Sequence, residues 1–506
     1  MWACGLFPFS TAVNRSTSTE IRVVPAVLFT GVLLLNGCQL APPPETPPAV
    51  EQIGETENYV YQGELGGAQP IETTAWWREI GGPGLDAQVN RLLQDSLELR
   101  EAREQVRQVA ERAQQTGARR LPALGAEVNA ARSRYADPFG NFRWDNNYSG
   151  ALSGSFDTGV FGSLRSRHRS AALLSEAARL NYRALEQQAI AGLARSWVGA
   201  SILERRLALA EATAASYRTT YQLTDQRYRA GSTRTSATDV MIARQNFESA
   251  LADIPAIRRQ LESQLIGLDR QLAHVPGTTA QAFSGYVEVS PDLLAPVGLP
   301  AALLAARPDV AAAQLSYQAA LQDVGAARAD MLPGLSLAAS LSFQNGELSD
   351  LFDADRYLAG LVASLTQPVF QGGRLRSELR LQKSEATELA SAYASVALSA
   401  LADVETALVQ QRGLLEELQQ LRRALAAAEN ANEIAQLRYR QGLLPLLSVL
   451  EAQRALVGAQ QGILSTEQSL LESRINLHLS LGGSWFGDDR APSDQSPAAR
   501  KGQETP

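Results

Sequence analysis

Two cysteines and three histidines are all that 506 residues offer to metal or redox chemistry. His168, His274 and His478 lie too far apart for metal-ligand spacing, and two cysteines cannot build a disulfide framework. Lysine is nearly missing: only Lys383 and Lys501 occur, which we read as codon bias. With 46 basic and 53 acidic residues the chain is mildly acidic. No nucleic acid is expected as a partner, because phosphate binding needs a concentrated basic surface. No nucleophile–base set, phosphate loop or metal cluster stands out, so neither an enzyme nor a cofactor is expected. Aromatics are few, at 6%. Abundant glycine and alanine suit closely packed helices. Proline is missing between Pro138 and Pro255, and again between Pro368 and Pro445.

One apolar run is present, from Val23 to Leu35, preceded by Arg15 and Arg22. It is short for a membrane-spanning helix and has the form of a signal-peptide core. It ends in Leu35-Asn36-Gly37-Cys38, which resembles the bacterial lipobox: lipid on Cys38, with cleavage just before it. Residues 1–37 are therefore expected to be a lipoprotein signal peptide. The stretch before Ile21 is long for one, which points to a start downstream of Met1. Gln39 rather than Asp after the cysteine implies sorting to the outer membrane. Pro42, Pro43, Pro44, Pro47 and Pro48 then mark residues 38–75 as a Pro-rich tether, extended and ill suited to packing. No later apolar run approaches about 20 residues, so no transmembrane helix is expected.

The remaining chain repeats itself. Leu121-Pro122 recurs as Leu332-Pro333, 211 residues on (332 − 121), and Tyr228-Arg229-Ala230-Gly231 as Tyr439-Arg440-Gln441-Gly442, again 211 on (442 − 231). Phe161-Gly162 matches Phe370-Gln371-Gly372, and Ser175-Glu176-Ala177 matches Ser384-Glu385-Ala386, both at an offset near 209. The copies are placed at 76–286 and 287–483, followed by a polar tail at 484–506. Each reads helix, strand, loop, strand, long helix, tight turn, helix. Leu85, Val89, Leu92, Ser96 and Leu99 step by four and three, a coiled-coil seam. Leu203, Leu207, Ala210, Ala214, Tyr217, Tyr221, Thr224 and Tyr228 continue that stepping, as do Leu414, Leu418, Leu421, Leu425 and Ala428. A continuous helix from Gly373 to Gln441 would run roughly 100 Å at about 1.5 Å per residue.

The strands obey another rule. Leu335, Leu337, Ala339, Leu341 and Phe343 alternate with small or polar residues, as do Tyr148, Gly150, Leu152, Gly154 and Phe156. One apolar and one small-polar face suits a barrel with lipid outside and water inside. With Ala123 to Arg134 and Leu358 to Gln367 there are four strands. Four cannot close around water, and an open edge in lipid strands backbone groups at several kcal/mol each. The barrel must be shared between chains. Tyr135, Phe139, Phe142, Trp144, Phe352 and Tyr357 could provide its interfacial aromatics.

From Trp76-Trp77 to Leu481 the chain resembles the TolC outer-membrane factor family, in its lipoprotein branch serving resistance-nodulation-division (RND) efflux pumps. The residues that carry the likeness are Arg307-Pro308-Asp309-Val310, Val324-Gly325-Ala326-Ala327-Arg328-Ala329 and Gln367-Pro368-Val369-Phe370-Gln371-Gly372-Gly373-Arg374. Tyr439-Arg440-Gln441-Gly442, followed by Ser448-Val449-Leu450-Glu451-Ala452-Gln453-Arg454, completes the set. The resemblance implies an α+β membrane protein: a homotrimer whose shared 12-stranded outer-membrane β-barrel continues into a long α-helical coiled-coil periplasmic tunnel. It implies a periplasmic adaptor and an inner-membrane RND transporter as partners, with outer-membrane lipid around the barrel. Gly231 and the Gly442-Leu443-Leu444-Pro445 turn would form the periplasmic tips. Leu447 would seal the closed end, and Glu451, one turn on, would add an acidic ring. The first tip departs from the second: Gly231 to Val240 spans nine residues and Gly442 to Val449 seven, a two-residue insertion that leaves Asp239 without an assignment. Two other readings stay open, an exit duct for type I protein secretion and a lipid-anchored coiled-coil scaffold without a pore.

Overall fold

The computed structural model describes residues 40–56, 59–61, 75–136, 138–279, 283, 285, 287, 306–350 and 357–482. Cys38, the signal segment, Phe352 and the tail at 484–506 lie outside the described residues. In chain order the elements are α1 (Pro48–Glu55), α2 (Trp77–Asp95), α3 (Leu97–Ala118), β1 (Ala123–Ala136), β2 (Phe142–Asp157), α4 (Ser163–Arg229) and α5 (Ala237–Gln271). Then come α6 (Pro308–Ala329), β3 (Gly334–Asn345), β4 (Tyr357–Thr366), α7 (Arg374–Arg440) and α8 (Leu446–Ser480). The order α3-β1-β2-α4-α5 thus recurs as α6-β3-β4-α7-α8.

The two copies match in element length. α3 and α6 each have 22 residues, α4 and α7 each 67, and α5 and α8 each 35. α3, β1 and α4 start 211 residues before their counterparts (308 − 97, 334 − 123, 374 − 163), and α5 starts 209 before its own (446 − 237). The two-residue insertion therefore sits wholly in the turn between α4 and α5. This corrects the 209-residue pairings inside and just before the long helix. Gly162 (φ 83°) corresponds to Gly373 (φ 85°), and buried Ser175 to buried Ala386. An offset change at Ser175 would need two residues looped out of a continuous helix, and none are.

One compact unit holds residues 117–167 and 323–379, with residues 40–42. Its centre is a four-stranded antiparallel sheet in the order β1-β2-β3-β4. Cross-strand partners share a face, and the register Leu124↔Gly154↔Ala339↔Leu361 carries one apolar face across all four strands. The other face joins Gly125, Ser153, Ser340 and Gly360. Leu358 and Val362 depart from the pattern, lying on that small-polar face opposite Ser342 and Ala338. Beyond the sheet, Gly325 of α6 makes room for Ala41, since an added Cβ would come within 2.7–2.9 Å of it. Arg328 donates to the Leu40 carbonyl at 3.0 Å.

The second unit holds the described residues of 43–116, 168–322 and 380–482. Leu85, Val89, Leu92, Ser96 and Leu99 are all buried there, as their spacing predicts. The seam crosses a break: Ser96 (ψ 125°) ends α2, and its hydroxyl accepts from the Leu99 N–H to start α3. Trp197, Leu193 and Ile190 of α4 and Leu418 of α7 complete this core, with Leu414, Leu421 and Leu425 packed beside it. Residues 48–55 are not extended, contrary to the tether expectation. Proline is favourable at the first helical position, and Val50 and Ile53 of α1 bury against Val310, Ala397 and Leu408. α7 is long and apolar enough, by length and composition, to cross a membrane; its Ala397, Ala400, Val404 and Leu408 are buried against the other helices.

Candidate functional site: open sheet and paired helical turns

Two features can do chemical or mechanical work, and each is self-contained in one unit. The first is the sheet. β1 and β4 each have a strand on one side only, so two rows of backbone donors and acceptors are unpaired among the described residues. The apolar face carries Leu124, Val128, Leu361 and Leu365, each at least 71% exposed. A monomer in water would not tolerate this face. A bilayer solvates it, but not the open edges.

The second is the pair of turns that close the helical hairpins. At the first, the Gly231 N–H bonds the Tyr228 carbonyl (3.0 Å) and the Ser232 N–H bonds Arg227 (3.1 Å). At the second, Gly442 bonds Tyr439 (2.9 Å) and Leu443 bonds Arg438 (2.9 Å). This is one helix-terminating motif twice, and it needs a left-handed residue. Gly231 and Gly442 supply it at φ 77° and 75°, with open space around each Cα. Arg227 and Arg229, and Arg438 and Arg440, place positive charge at the helix carboxyl ends, where the dipole favours it.

Beyond the glycine the two turns diverge. Ser236 and Asp239 form a reciprocal capping box at the start of α5: the Ser236 hydroxyl accepts from the Asp239 N–H (3.1 Å) while the Asp239 carboxylate accepts from the Ser236 N–H (2.8 Å). α8 starts instead from Pro445, with no side-chain cap. Leu446, Val449, Leu450 and Gln453 are buried, while Leu447 (59% exposed) and Glu451 share the opposite, exposed stripe. At the 209-residue offset their counterparts on α5 are Thr238 and Ile242. The acidic position therefore exists on one hairpin only.

The turns are also fastened to each other. Arg234 donates to the Gly442 carbonyl (2.8 Å), and Arg227 donates to the Arg440 carbonyl (2.8 Å) while lying 4.5 Å from the Tyr439 ring centroid. Just behind, the buried hydroxyls of Thr224 and Tyr439 share a 2.7 Å hydrogen bond. Gln453 donates to Ser216 (2.9 Å) and Thr220 (3.0 Å). The turns border a cleft of about 790 Å³ lined by Arg227, Arg234, Asp239, Tyr439 and Leu443. Thr224, on the seam by its spacing, is buried, whereas Tyr228, on the same stepping, is exposed. Among the described residues no cluster of His, Cys, Asp and Glu could hold a metal ion.

The family model of the outer membrane efflux protein matches residues 89–274 and 299–483. The chain belongs to that family. It is 30% identical to the pyoverdine export outer membrane protein OpmQ of Pseudomonas aeruginosa, over 91% of this chain and 97% of that one. It is 30% identical to the toluene efflux pump outer membrane protein TtgF of Pseudomonas putida, over 89% and 95%. Among solved structures the outer-membrane channel OprN superposes with a TM-score of 0.81 at 25% identity, covering 88% of this chain and all of that one. The Campylobacter jejuni CmeC outer membrane channel superposes at 0.80 with 20% identity, over 88% and 95%. The fold is that of the outer-membrane efflux channels, and the protein is an efflux channel of the outer membrane.

Proposed function

We propose that three copies close one barrel and form the passive exit duct of a tripartite pump for small molecules. The carrying observation is the sheet: among the described residues it has four strands, two unpaired edges and one continuous apolar face. Pairing β1 of one copy with β4 of the next removes every edge, and three copies give twelve strands, enough for a water-filled lumen. In this reading residues 38–75 anchor the chain through lipid on Cys38, 76–286 and 287–483 are the two repeats, and 484–506 is a polar tail. The likeness to the probable outer membrane lipoprotein SilC of Salmonella typhimurium, 27% over 90% of this chain, supports the anchor. The helical hairpins then extend into the periplasm, α4 and α7 each about 100 Å long by residue count. Their turns at Gly231 and at Gly442-Leu443-Leu444-Pro445 meet a periplasmic adaptor, itself bound to an inner-membrane transporter of the RND class.

The stripe of Leu447 and Glu451 faces the lumen at the closed end. Three leucines supply the steric seal, and three carboxylates favour cations over anions. Single-channel recording on the reconstituted full-length protein separates the two roles. Glu451→Gln should lower cation preference and block by divalent cations without changing assembly. Leu447→Ala should raise resting conductance while selectivity stays. Unaltered selectivity and block in Glu451→Gln would remove Glu451 from the constriction.

A further inference from the structure

The apolar face is interrupted at one end by two arginines. Register places Arg132 opposite Asn146 and Arg134 opposite Trp144, on the same face as Leu124, Ala126, Val128 and Ala130. Both are exposed, and neither has a carboxylate partner among the described residues. Arg132 lies 5.0 Å from the Trp144 ring centroid, and Arg134 lies 4.4 Å from Phe142 and 5.9 Å from Trp144. Stacking on an aromatic face orients a guanidinium while leaving its in-plane N–H groups free to bind an anion.

Their height on the strand is informative. Eight residues separate Leu124 from Arg132, about 27 Å along the strand and about 20 Å along the membrane normal at a tilt near 40°. The apolar band of an outer-membrane barrel is about 25 Å tall, so the pair sits at its rim. Helices adjoin the other ends of these strands, so in the duct reading, on which this inference rests, the β1–β2 turn is the outer rim. Two residues apart on one face, the two Cα atoms are about 7 Å from one another along the strand, and both guanidinium groups lie by the Trp144 ring. Two cations without a carboxylate partner, beside hydrocarbon and held against the Trp144 and Phe142 rings, fit the phosphates of a lipid whose chains cover the face below.

We propose that Arg132 and Arg134, backed by Phe142 and Trp144, form a docking site for the phosphorylated glycolipid of the outer leaflet, one site per chain. Native mass spectrometry of the full-length channel with added bisphosphorylated or dephosphorylated lipid A tests this. The wild type should hold the bisphosphorylated form more tightly by about tenfold. Arg132→Gln/Arg134→Gln should erase that preference, and Arg143→Gln, on the opposite face, should keep it. If the double variant fails to assemble, each single substitution makes the same comparison. Equal retention in wild type and arginine variants, loss in Arg143→Gln instead, or release by millimolar inorganic phosphate would each overturn the proposal. A wild-type peak at the mass of one chain would refute the shared barrel, and the same spectrum reads that separately.

Discussion

His478 shows what one half-buried side chain does to acid stability. Its ring stacks on Trp76, with centroids 5.3 Å apart and planes 16° apart. Burial first, and then the Arg474 charge, pushes it down from 6.5 to about 4. Above pH 6.5 the ring is neutral in both folded and unfolded chains. Between 6.5 and 4 only the unfolded chain takes up the proton, so stability is lost as pH falls through that window. The loss should reach roughly 3 kcal/mol at most, at about 1.4 kcal/mol per pH unit. The difference in thermal midpoint between wild type and His478→Phe should therefore change between pH 7.5 and 4.5; a constant difference would mean that His478 does not titrate on unfolding. Gly325 answers a different residue-scale question, why a glycine stands in that helix. A side chain there would strike the backbone of Ala41, only three residues beyond Cys38. Gly325→Val should free residues 40–56 to proteolysis while the strands persist. Unchanged cleavage would show that Gly325 does not seat the chain start.

Among the elements, the two hairpin turns form a natural pair of experiments. Asp239 caps α5 and Glu451 lines the exposed stripe of α8, so the two carboxylates should behave differently. Asp239→Ala should cost about 1 kcal/mol of local stability, the worth of the lost hydrogen bond from the Ser236 N–H, and leave ion selectivity unchanged. A selectivity shift in Asp239→Ala would place it in the lumen instead. The strands and their alternation were legible because a period of two residues is set by the pleat itself. The doubling was legible because tip sequences such as Tyr-Arg-x-Gly are fixed by helix ending. The register inside the long helices was not: Ser175-Glu176-Ala177 and Ser384-Glu385-Ala386 are alike in letters, and only helix length shows that they lie two residues out of step. α1 was masked by its prolines, although Pro48 opens the helix rather than preventing it. The fastening of Thr224 to Tyr439 and of Arg234 to Gly442 joins residues more than 200 apart in sequence, which no local pattern records.

For the whole molecule, each repeat contributes one hairpin to the sheet and one to the helical part, so the single chain is a closed set of elements that still cannot close a barrel. Four strands leave two edges, and the apolar face has no partner among the described residues. The central claim is therefore stoichiometric: lipid satisfies the face, and only two further copies satisfy the edges around a lumen wide enough to carry solute. The most direct measurement is the mass of the detergent-extracted full-length protein, taken alongside its conductance in a bilayer. Three chains per particle, conducting ions, is the predicted result; a pore formed by a stable single chain would contradict the account.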